Sequence, residues 1–118
     1  MTLRAAGQRE NRAQDLIFTA PRGGVTAGKS YQIASGLIVV ARETVTSGDF
    51  LGAIEGDVIA TKTATTGITF SKGGKVYWDS TNKTMTNVAS GNTHVGYALE
   101  DVATSSTAVV LMKLVQPV

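Results

Sequence analysis

An all-β fold, either a small sandwich or a partly open barrel, is what this chain predicts. Three observations carry that reading. β-Branched residues dominate the windows that lack Gly or Pro, so no stretch favours a helix. Turn residues recur about every 8–12 positions with short apolar runs between them, the spacing of a sandwich or small barrel. From residue 73 to residue 114 the chain reads as strand, turn, strand with almost nothing else.

The first 14 residues show neither helical nor alternating periodicity and have no apolar face to bury. They read as a flexible arm that orders only against a partner, with a single β domain over residues 15–118. The first strand is residues 16–20, stopped by Pro21 and the Gly23-Gly24 pair. Residues 30–34 and 37–43 follow, parted by Ser35-Gly36. Ser47-Gly48-Asp49 turns the chain into a strand over 50–55, and Gly56-Asp57 is expected to turn it again into 58–61. A weaker strand at 68–70 leads to the Ser71-Lys72-Gly73-Gly74 loop. Residues 75–79 and 84–88 predict a hairpin about Ser80-Thr81-Asn82-Lys83, and residues 95–99 and 107–115 complete the domain.

In the last strand Ala108, Val110, Met112 and Leu114 share one face, and Val109, Leu111 and Lys113 the other. Both faces are largely apolar, whereas a half-solvated antiparallel strand alternates. One face serves the core; the other calls for a second sheet or a neighbouring subunit. Tyr77 and Trp78 point to opposite sides, one a core residue and the other a surface or interface anchor. With only 6% aromatic residues the core is small, and self-association is a common remedy.

Cysteine is absent, which excludes disulfides, thiolate metal sites and Cys nucleophiles. No apolar run reaches the ~18 residues of a membrane span, and the first dozen residues lack a signal-peptide centre. The expected product is made in a cytoplasm and has no membrane partner. All five arginines fall within the first 42 residues, where six basic residues face two acids; five lysines face seven acids beyond. The arginines are spaced, interrupted by acids and without aromatic neighbours, so an arm meeting an acidic surface is favoured over nucleic-acid binding.

Residues 23–30 match the phosphate-loop pattern at every fixed position, with Gly23, Gly28, Lys29 and Ser30. The context argues for coincidence. Pro21 and Arg22 break the approaching strand, the following segment meets Gly36 after about two turns, and no βαβ alternation surrounds it. The lone His94 has no second His or Cys for a metal site and reads as a solvated or capping residue. Glu55 with Asp57 and Glu100 with Asp101 read as solvated acids at turns and strand ends. Asn82-Lys83-Thr84 is a glycosylation sequon with no secretory signal to give it meaning. No cofactor, metal or catalytic residue is expected, and the chain reads as a non-enzyme.

Residues 20–114 carry a resemblance in Thr19-Ala20-Pro21, Gly23-Gly24-Val25 and Gly28, and in residues 56–62. Its more specific parts are Gly-Lys-Val-Tyr-Trp-Asp-Ser-Thr-Asn-Lys from Gly74 and Ser-Gly-Asn-Thr-His-Val-Gly-Tyr-Ala-Leu from Ser90. In combination these resemble the small tailed-phage capsid decoration, or head cement, proteins, whose members are sometimes labelled recombinase-like. The resemblance implies a β-rich homotrimer on the outer capsid surface of the virion, bridging capsomers of the major capsid protein. An arm using Leu3, Arg4, Arg9 and Arg12 would hold the capsid, departing from the family pattern in its length and Arg content. Tyr77, Val109 and Leu111 are candidates for the subunit contact. The alternatives are a head–tail joining or tail-tube subunit and, more remotely, a nucleotide-binding recombination protein.

Overall fold

A computed structural model describes residues 14–33, 36–63, 68–103 and 109–116. The expectations for residues 1–13, 34 and 107–108 lie outside them. Eight strands are described: β1 (Gln14–Thr19), β2 (Ser30–Ile33), β3 (Leu37–Ala41), β4 (Asp49–Thr61), β5 (Lys75–Asp79), β6 (Thr84–Thr86), β7 (Thr93–Ala98) and β8 (Val109–Leu114). They form one sheet in the order β2-β3-β4-β8-β7-β5-β6, with β1 added to β4. No helix occurs among the described residues.

The sheet curls back on itself. Lys62, just beyond β4, forms a parallel bridge with Met85 of β6, and the Thr63 amide donates to the Met85 carbonyl at 2.7 Å. β4, β8, β7, β5 and β6 thereby make a nearly closed barrel, which leaves few unpaired edges. A second seam joins β2 to the β5–β6 turn, where the Ser30 amide and hydroxyl both donate to the Lys83 carbonyl, at 3.0 and 3.1 Å.

Alternation explains the interior. Val58, Ala60, Val76, Trp78, Val110, Met112 and Leu114 point into the barrel and are buried, so Trp78 is the core aromatic and Tyr77 faces out. A second cluster of Val25, Val39, Ala41 and Phe50, with Phe18 packed against it, fills the other side of β3. β3 supplies Ile38 and Val40 to the barrel and Val39 and Ala41 to the second cluster. Its unbroken Leu-Ile-Val-Val-Ala run is the signature of burial on both faces.

One sequence expectation is corrected. Gly56-Asp57 is not a turn: residues 49–61 are a single 13-residue strand. Its first half pairs with β1 and β3, its second with β8, and Gly56 sits at the changeover paired with Leu114. The Gly56 φ of +94° is strained for any residue with a Cβ, so glycine lets the strand change partners without breaking. Elsewhere the departures are at ends: β6 stops at Thr86, and the expected 68–70 strand is a single bridge from Phe70 to Val102.

Candidate interaction surfaces

The phosphate-loop lookalike has a structural occupation. The amides of Gly24, Val25, Gly28, Lys29 and Ser30 donate to the carbonyls of Pro21, Val45, Ala41, Thr26 and Lys83. Those of Thr26 and Ala27 donate to the Tyr31 hydroxyl and the Thr44 hydroxyl, at 2.8 and 2.9 Å. Phosphate binding needs these amides directed at the ligand and a helix opening after Lys29. Here every amide from residue 24 to residue 30 is committed, and Ser30 is the buried first residue of β2. The loop ties together the strands around it.

The acids are also used on backbone. Glu100 accepts the Leu111 amide at 3.0 Å, Asp101 accepts the Lys72 amide at 2.8 Å, and Glu43 accepts the Leu51 amide at 2.7 Å. Asp79 organises the β5–β6 hairpin by accepting the Asn82 side-chain amide at 2.8 Å and the Thr81 and Asn82 backbone amides at 3.0 and 3.2 Å. These bonds, the Asn82 side chain foremost, hold the Asp79 carboxyl below its ordinary pKa against a smaller opposing effect of desolvation. Among the described residues no group of three or more metal-ligating side chains is assembled.

Two outward surfaces remain. The first is β1. Its only strand partner among the described residues is β4, and Leu16 and Ile17 are both exposed although they point to opposite sides. Only Phe18 ties it to the second cluster, its ring centroid 5.9 Å from that of Phe50. Arg42 adds an ion pair to Asp15 at 3.1 Å. The basic arm with Leu3, Arg4, Arg9 and Arg12 precedes this strand and lies outside the described residues.

The second is the outer face of the barrel. Ile59 of β4 lies opposite Leu111 of β8, and Asp57 lies opposite Lys113, which in turn lies opposite Tyr97 of β7. A bulge in the β5–β7 pairing sets Tyr77 opposite His94. The His94 ring stands between Tyr77 and Tyr97, with centroids 5.6 and 5.0 Å away, and its Nε2 lies 2.9 Å from the Gly96 carbonyl oxygen. Val109 and Ile59 are exposed and Leu111 half-buried, and no second layer of described residues covers them. Val109 and Leu111 thus share the outer face of β8, while Tyr77 stands two strands away on β5 beside His94. Sequence reasoning missed Ile59 and Tyr97; period-2 alternation along an unbroken β4 would have found Ile59.

A family model described as phage cement protein matches residues 10–114. No curated protein and no solved structure matches.

Proposed function

This chain belongs to the phage cement protein family, and we propose on that premise that it binds the outer capsid surface as a homotrimer. There it bridges neighbouring capsomers of the major capsid protein and so stabilises the shell after synthesis in the host cytoplasm. The family match over residues 10–114 is the observation that carries this reading. A trimer touching several capsomers adds contacts that must break together, so modest interfaces gain avidity.

The grip is assigned to residues 1–14. β1 has one strand partner among the described residues, and the basic segment runs directly into it. An extended arm that adds a strand to a sheet edge of the capsid protein gains main-chain hydrogen bonds with little demand on sequence. Arg4, Arg9 and Arg12 then pair with capsid acids. Removing residues 1–13, which keeps β1 whole, tests this. The account expects the shortened chain to lose at least about tenfold in affinity for expanded capsids, the effect of one lost contact set. Unchanged affinity would remove the arm from the mechanism.

A further inference from the structure

We propose that the outer face of β4, β8 and β7 is where one copy of this chain docks on another. The inference deepens the proposed self-assembly by naming its surface, and it rests on that reading. Of the six large apolar side chains most exposed among the described residues, three, Ile59, Tyr97 and Val109, lie on this one face with Leu111 between them. Ile59 keeps 59% of its surface in solvent within the half of β4 that pairs with β8. Three strands about 4.8 Å apart and about 20 Å long give a face of about 300 Å² in plan. The largest exposed apolar patch of a typical monomer is of that order and is often functional.

The charges select the occupant. Asp57 and Lys113 stand opposite one another on this face, so it carries both signs beside its apolar centre. Set about a three-fold axis, a face with both signs brings the acid of each copy to the base of the next. The β1 side differs, because the arm leading into it carries three arginines against one glutamate and suits an acidic, unlike partner. A second copy therefore fits the barrel face, and the capsid protein fits the arm.

Sedimentation of the full chain and its Ile59→Lys variant over a range of concentrations tests the assignment. The expected result is an oligomeric parent and a variant whose self-association is weakened at least about tenfold with an unchanged circular dichroism spectrum. An equally associated variant would overturn the assignment while leaving capsid attachment intact. A parent that stays monomeric at every concentration would overturn it too, and binding of that monomer to capsids would show that the cementing role survives. A fluorophore reporting polarity, attached through Ile59→Cys and, for comparison, Val88→Cys, decides the matter if the lysine variant misfolds. Concentrating the protein should shift emission to the blue at position 59 and leave position 88 unmoved. Equal shifts, no shift, or a shift at 59 that needs added capsids would each overturn the docking of like on like.

Discussion

β1 and β8 are both flanks of the long strand β4, yet they are built on opposite terms. β8 pairs with β4 on one side and β7 on the other, and sends Val110, Met112 and Leu114 into the barrel. β1 pairs with β4 alone, leaves Leu16 and Ile17 exposed, and is pinned by Phe18. β1 is the less apolar, with Leu16, Ile17 and Phe18 among its six residues against five apolar residues of six in β8. They differ further in how many of those residues the fold itself covers. The barrel encloses most of the core, whereas β1 has one strand partner among the described residues and keeps Leu16 and Ile17 in solvent.

The largest effect that would sharpen this contrast is expected from Met112→Ala, which empties a fully buried position of β8. Deletions of this kind cost about 2–5 kcal/mol, read as a lower denaturant midpoint; a loss under 1 kcal/mol, at this scale, would mean β8 is not central. Next comes Gln116→Ala. The Gln116 side chain accepts the Ile38 amide and donates to the carbonyls of Ile38 and Ile54, each bond crossing from the chain end to β3 or β4. Leaving such groups unpaired costs about 1–3 kcal/mol, and hydrogen exchange at Ile38 should quicken more than at β7.

Ile17→Ser should shift stability by no more than about 0.5 kcal/mol, as substitutions at exposed positions do. The same change should weaken capsid binding, so a large stability loss would break the contrast between β1 and β8. The smallest effect belongs to Asp79. Its carboxyl titrates below the ordinary range, so its contribution to stability is fully present above the unfolded value and fades as pH falls through the lowered folded value. Asn82→Ala removes the chief cause and should raise the Asp79 titration midpoint, followed by carboxyl NMR shifts; an unmoved midpoint would contradict the hairpin geometry.

Much of the fold was legible because period and punctuation agree. Lys-Val-Tyr-Trp-Asp, the four turn residues after it and Thr-Met-Thr declare a hairpin, and the bonds to Asp79 bear it out. The double-faced apolar pattern of β8 matches a strand with Val110, Met112 and Leu114 inside the barrel and Val109 and Leu111 on its outer face. Gly56-Asp57 misled for a physical reason. Glycine serves a turn and a bent strand through the same tolerance of positive φ, and only the partners on either side distinguish the two. Gln116 was invisible because its partners, Ile38 and Ile54, are 78 and 62 residues away in the chain. The phosphate-loop pattern shows the converse: a local match whose amides are all taken, those of Gly24, Thr26 and Lys29 by near neighbours and the rest by distant segments.

Three-dimensional imaging of phage particles carrying this chain tests the central claim most directly. The account predicts density for it on the outside of the head, lying across the joints between capsomers, with the N-terminal segment against the capsid protein. A mature particle in which the chain is absent from the head, or found in the tail alone, would contradict it.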